Sequence, residues 1–172
     1  RGPKGASSVK LKKYASVIKS FIDAKTSMVH TQGPTCLNKF ASGDSIASQQ
    51  TDLSPLKKND ILFAELMALK LNIGASASHK FPVGLGELTF FDASDSGNPF
   101  NTRLVSTIAG EGDSLLSCLP LGSIVPSPSL AELLATLQKL NSAFAESSNF
   151  KDTISFVAKT ALQGVKPIGE VA

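Results

Sequence analysis

Apolar residues recur at spacings of three and four over most of this chain, so the elements they predict are helices. In "SVKLKKYASVIKSFIDAKT", residues 8–26, Leu11, Tyr14, Ala15, Ile18, Phe21 and Ile22 share one face, and Lys10, Lys12, Lys13 and Lys19 lie mostly on the other. This pattern predicts a basic amphipathic helix over residues 1–28, capped at Ser7 or Ser8. Residues 29–58 turn to Ser, Thr, Gln, Gly and Asn, with Gly33-Pro34 and Ser54-Pro55 as breakers, and are expected to be a long loop.

From Asn59 onward the pattern becomes strongly apolar. Ile61, Leu62, Leu66, Leu69 and Ile73 keep helical spacing, and Phe63, Met67 and Leu71 make the helix apolar almost all round, as expected of a helix inside a core. Asn59 or Asp60 is the expected cap, and Gly74 the expected end. "VGLGELTFF" reads as a turn leading into a short extended run, and "DASDSGNPFN" as a polar turn. A third helix over residues 102–119 has Asn101 or Thr102 as its cap, with Gly110 and Gly112 weakening its middle. A fourth follows Ser129, with Glu132 three residues on and Leu130, Leu133, Leu134, Leu137, Leu140 and Phe144 on one face, and "FKDTISFVAKTALQGV" predicts a last one ending at Gly164 and Pro167. The fold class expected is mainly α: a compact bundle of four to five helices with long loops and at most a short strand pair. No period of 20 to 50 residues argues for a solenoid.

At 172 residues and 42% hydrophobic, the chain suits one domain, 1–172, with its helical core over 59–172. Charged residues make up only 18%, below the usual quarter, and Ser, Ala, Gly and Leu are abundant; this balance points towards secreted proteins. No apolar run is long enough to cross a bilayer, so no transmembrane segment is expected. The start, Arg1-Gly2-Pro3-Lys4-Gly5, lacks both an initiator Met and the apolar stretch of a signal peptide, and reads as processed or excised.

The net charge of +3 divides unevenly. Residues 1–40 hold eight basic side chains and one acid, Asp23, for +7; the remaining nine basic and thirteen acidic residues give −4. Such a dipole steers polyanions to the N-terminal region or drives head-to-tail association of copies; the plainer reading is a solvated helix face.

Cys36 and Cys118 are too far apart in sequence for the close pairs typical of metal sites. In a secreted chain they most simply form one disulfide; in a reducing compartment they would be two separate buried thiols. His30 and His79, the only histidines, each sit among loop-forming residues and in no metal or triad spacing, so a loop or surface role is expected for both. Gly84-Leu85-Gly86 precedes an extended run instead of following one, which makes it a turn and not a phosphate cradle. Asp92, Ser94, Asp95 and Asn98 offer oxygen ligands around Gly97, but the bidentate acid that closes a calcium loop is missing, and an Asx turn is the default reading. Two Arg, one Tyr and no Trp leave little for base readout or stacking, so no specific nucleic-acid partner is expected. No catalytic constellation, metal site or cofactor site emerges, and enzyme activity is not expected.

The succession "FAELMALKLNIGASA", "FPVGLGELTF", "NTRLVSTIAGEGDSLLSC" and "LAELLATLQKLNSAFAES" resembles a helical module of large secreted or surface-displayed bacterial proteins. The matching residues are Phe63, Leu66, Ala68 to Asn72, Gly84 to Gly86, Leu88, Leu104, Val105, Ile108 and Ala109, then Leu140, Asn141, Ala143 and Phe144, within residues 60–148. The resemblance implies an extracellular, non-catalytic role and brings no functional residues with it.

The expected function is that of an extracellular structural or surface protein acting through adhesion, matrix formation or self-assembly into an oligomer or filament. The alternative is a polyanion-binding module in which Lys10, Lys12, Lys13 and Lys19 contact an acidic glycan, mineral or nucleic acid. A lesser alternative is a carrier of an apolar ligand in a cavity between helices.

Overall fold

A computed structural model describes residues 8–11, 13–78, 84–118, 128–146 and 165–167. The fold is mainly α, with four helices among the described residues, long loops and short strand pairs. In chain order the elements are β1 (Ser8–Val9), α1 (Tyr14–Phe21), β2 (Ile22–Asp23), β3 (Met28–Val29), β4 (Gln49–Gln50), α2 (Ile61–Ala77), β5 (Leu88–Phe90), α3 (Val105–Ser117), α4 (Leu130–Glu146) and β6 (Val165–Pro167). A single 3-10 turn, Leu85–Glu87, precedes β5. Contacts gather the described residues into two compact units: one comprises the chain up to Ala64 with the stretch from Asp113, the other Glu65–Gly112 with the chain from Ala131.

The first unit is held by polar as much as by apolar contacts. Among its described residues the buried apolar side chains are Ile46, Leu53, Pro55, Leu62, Phe63 and Leu116, and beside them lie Ser20, His30, Ser54, Lys58 and Asp60, also buried. With five polar side chains inside, its stability depends on those polar groups finding partners.

α1 is much shorter than the helix predicted over residues 1–28. Ser8 and Val9 pair in parallel with Gln49 and Gln50, and Lys10 N–H continues the ladder to the Gln50 carbonyl at 2.8 Å. At the other end Ile22 is extended, with φ −135°, and pairs with Val29 across an antiparallel hairpin. Strand partners supplied by distant and following residues therefore override helical periodicity at both ends. Lys13 occupies the N-cap position without a side-chain cap, in place of the serines expected there. The helix is also turned from its predicted orientation: Ser20 is its buried residue, whereas Tyr14 is 81% exposed.

The second unit is a conventional apolar core. Leu66 and Leu69 from α2, Phe90 from β5, Phe100, Val105 and Ile108, and Leu133, Leu137 and Leu140 from α4 are all buried. Each such side chain contributes roughly 1.5–3 kcal/mol relative to exposure. The i, i+4, i+7 spacing of Leu133, Leu137 and Leu140 is the stripe the sequence predicts, and α4 starts directly after Ser129 as expected. α2 does not stop at Gly74 but continues to Ala77, because the backbone at Gly74 stays helical and does not take the positive φ of a terminating glycine.

The Gly84-Leu85-Gly86 turn uses its two glycines for different reasons. Gly84 has φ +98°, a left-handed conformation that suits glycine. At Gly86 a Cβ would lie 3.2 Å from Ile73 Cγ2 and 3.4 Å from Ser106 Cβ, so its bare backbone permits the turn to lie close to α2 and α3. Leu85 is buried and its N–H donates to Ser76 Oγ at 3.1 Å. The backbone donor of the turn is committed to the fold, in keeping with the sequence reading of a turn.

β5 pairs antiparallel with β6 in the register Leu88↔Pro167, Thr89↔Lys166 and Phe90↔Val165. Val165 is thus in a strand, where the sequence predicts the end of a fifth helix; the rest of that predicted helix lies outside the described residues. Among the described residues, no helix is long and apolar enough to cross a membrane.

Candidate functional site

Cys36 and Cys118 form a disulfide, with Cα atoms 5.6 Å apart and 82 residues between them in sequence. The bond fastens the loop before β4 to the residue following α3, where Cys118 itself takes φ +46°. One residue further along the loop, Leu37 N–H donates to the Leu116 carbonyl at 2.8 Å, so the covalent link and a backbone hydrogen bond act side by side.

The buried polar groups of the first unit converge on this loop. Lys58 Nζ donates to the Cys36 carbonyl at 2.7 Å. Burial pushes the Lys58 ammonium below its ordinary pKa, and the Asp60 charge opposes that shift. Asp60 caps α2: Oδ1 accepts from Leu62 N–H at 3.0 Å and Phe63 N–H at 3.3 Å, at the positive end of the helix. Its Oδ2 accepts from the Thr35 hydroxyl at 2.7 Å and the Thr35 N–H at 3.2 Å. The neighbouring Asn59 accepts through Oδ1 from Thr31 N–H at 2.6 Å and Gln32 N–H at 3.1 Å. Two adjacent side chains, both cap candidates in the sequence, divide the work: Asp60 caps the helix and Asn59 holds the incoming loop.

His30 sits in a loop but is buried, which corrects the surface half of the expectation for it. Its Nδ1 accepts from the Asp60 N–H at 3.0 Å, which requires that the ring proton be on Nε2, and Nε2 then donates to the Ser20 carbonyl at 2.7 Å. The ring meets Phe63 edge-on, with centroids 5.6 Å apart. Burial lowers its pKa, against the opposing pull of the Ser20 carbonyl and the Asp60 charge. Both nitrogens are spent on backbone partners, so the imidazole ties α1 to the start of α2. His79 lies outside the described residues.

In the second unit, the "DASDSGNPFN" segment forms the polar turn its sequence predicts. Asp92 Oδ1 accepts from the Ser94 hydroxyl at 2.6 Å and the Ser94 N–H at 3.0 Å, and Oδ2 pairs with Lys139. The Lys139 ammonium, then Ser94, hold the Asp92 carboxyl below its ordinary pKa. Asn101 bridges the turn, accepting from Asp92 N–H at 2.7 Å and donating to the Asp95 carbonyl at 2.9 Å. Asp92 is thus bound to Lys139 and Ser94, and Asp95 joins the turn through its backbone. Among the described residues no group of three or more His, Cys, Asp or Glu side chains could hold a metal ion.

The lysines predicted to form a basic face are spread along the N-terminal segment. Lys10 follows β1, Lys13 precedes α1 and Lys19 lies in its last turn; all three are exposed, and Lys12 lies outside the described residues. Lys13 and Lys19 are six residues apart, about 9 Å along a helix axis. Lys25, in the turn between β2 and β3, adds a further exposed ammonium that the sequence reading did not include in the face. The one acid of the segment, Asp23, accepts from the N–H groups of Lys25 and Thr26 at 3.1 and 3.3 Å.

Comparison of the chain with protein families, curated proteins and solved structures finds no significant match. The resemblance to a bacterial surface module rests on its motif residues alone.

Proposed function

We propose that this chain is a non-catalytic extracellular surface module, acting by contact in adhesion, matrix formation or self-assembly. The Cys36–Cys118 bond carries this reading, since a disulfide that closes so long a loop persists in oxidising compartments and is rare where thiols are kept reduced. Two further features support it. The resemblance of residues 60–148 to modules of secreted bacterial proteins points the same way, and the buried polar groups around the bond are spent on caps and loop anchors. Protease added to intact source cells, followed by detection of the protein in cells and medium, tests the proposal. Protein in the medium, or digested at the cell surface, is the expected result; a fully protected intracellular pool would reject it.

A second reading is favoured by the exposure of Lys10, Lys13 and Lys19 in a segment carrying +7: these lysines, with Lys12, bind a polyanion. Replacing all four with Gln should abolish salt-eluted retention on a heparin column and leave the helical circular dichroism unchanged. Unchanged retention would reject this reading.

A further inference from the structure

The orientation of α1 creates an exposed surface that its sequence pattern conceals. Ser20 is fully buried: its hydroxyl accepts from Leu53 N–H at 3.3 Å and its carbonyl from His30 Nε2. A helix advances about 100° per residue, so with Ser20 inward, Ile18 lies about 160°, Ala15 about 140° and Tyr14 about 120° away from it, towards solvent. Tyr14 and Ala15 are exposed, as this rotation requires, whereas Ile18 is half-buried. Ile22, already extended, stands opposite Val29 in the hairpin, and Val29 is 49% exposed. Met28, its neighbour, is 39% exposed. Tyr14 on α1 and Met28 and Val29 on the hairpin that follows it are therefore exposed apolar groups of one short segment, along which the exposed lysines 10, 13, 19 and 25 are distributed.

We propose that these exposed apolar groups and the lysines among them form a docking surface for an anionic lipid bilayer. The inference rests on the polyanion reading of the N-terminal lysines and names the polyanion. Charge complementarity selects an acidic partner: Lys10, Lys13, Lys19 and Lys25 are exposed with Asp23 the one acid among them, so the same face of a second copy would be repelled. The apolar groups select lipid over glycan. An acidic polysaccharide gains nothing from Tyr14 or Val29, whereas a bilayer interface accepts a Tyr ring at headgroup depth, aliphatic side chains below it and lysines that extend to the phosphates. Amphipathic surfaces of this kind bind through apolar insertion and attraction to anionic headgroups together.

Tyr14 is the only tyrosine in a chain without tryptophan, so its fluorescence reports on this site alone. The full chain is sedimented with phosphatidylcholine vesicles, with and without phosphatidylserine, and the quenching of Tyr14 by acrylamide is measured on each. Co-sedimentation with the phosphatidylserine vesicles only, with Tyr14 shielded from the quencher, is expected. The double variant Tyr14→Ser, Val29→Ser changes two exposed positions; it should bind those vesicles about tenfold more weakly and keep its heparin retention. Absence of vesicle binding, or binding that leaves Tyr14 open to acrylamide, overturns the proposal. So does a double variant that binds vesicles as the parent does. Heparin retention without vesicle binding would leave the polyanion reading standing with a glycan as partner, whereas loss of both would remove the polyanion reading as well.

Discussion

The backbone N–H of Asp60 donates to Nδ1 of His30 at 3.0 Å, across 30 residues of sequence. That bond fixes a neutral imidazole, because a proton on Nδ1 would have to face another N–H. Burial also lowers the pKa of His30 in the folded state below its ordinary 6.5. In the unfolded chain the ring protonates as pH falls through that ordinary value; in the folded protein it resists until lower pH. Stability is therefore complete above about pH 7 and decreases on acidification below it, by up to about 1.4 kcal/mol per pH unit. Urea midpoints from about pH 7.5 to about pH 5.5 should fall for the parent, and His30→Gln should remove that part of the dependence. An equal decline in both proteins would contradict the assignment.

Gly33 approaches the same carboxylate. It has φ +120°, and a Cβ there would lie 2.8 Å from Asp60 Oδ1. Gly33→Ala should destabilise the protein by about 2–3 kcal/mol, combining a strained backbone with displacement of the α2 cap. Urea denaturation measures this directly, and a loss under about 0.5 kcal/mol, the range of an ordinary surface change, would contradict it.

Two helical glycines should respond with opposite signs. Gly74 faces open space within α2, so Gly74→Ala gains about 0.5–1 kcal/mol from helix propensity. Gly112 in α3 is buried, and a Cβ there would come within 2.8 Å of Leu66 Cδ1. Gly112→Ala forces Leu66 out of its position and should cost about 1–3 kcal/mol before the propensity gain is counted. Thermal melts of the two variants are expected to move in opposite directions.

Asp92 and Lys139 join the polar turn to α4. The paired carboxylate has a folded-state pKa below its ordinary 3.8, so its contribution is full above that value and disappears as pH falls through the lower, folded-state value. Lys139→Met leaves the buried carboxylate with Ser94 as its side-chain donor, and should cost about 1–2 kcal/mol at neutral pH while weakening the acid-side loss. Denaturation at neutral and at acid pH reads both effects.

Much of the helical framework is legible in the sequence because its signals are local. The Leu133, Leu137, Leu140 stripe, the cap at Asp60 and the Asx chemistry of residues 92–101 all act within a few residues of themselves. The N-terminal segment departs from its sequence pattern for the opposite reason. Its helical spacing is real, but β1 and β2 answer to partners at Gln49–Gln50 and Met28–Val29. The orientation of α1 is decided by the Ser20 hydrogen bonds to Leu53 and His30, which no periodicity encodes. His30 itself follows a polar turn and carries no local mark of burial; only its distant partners put it inside. Gly74 misled as a stop signal because a glycine ends a helix only where the chain turns left-handed, and here it does not.

The disulfide is the feature on which the extracellular reading stands, and intact mass on material purified from its source without reductant tests it most directly. The unreduced protein should be lighter than the reduced protein by two hydrogens, take up no alkylating agent when denatured, and give one peptide pair linking Cys36 to Cys118. Alkylation of both thiols before any reduction would contradict the account.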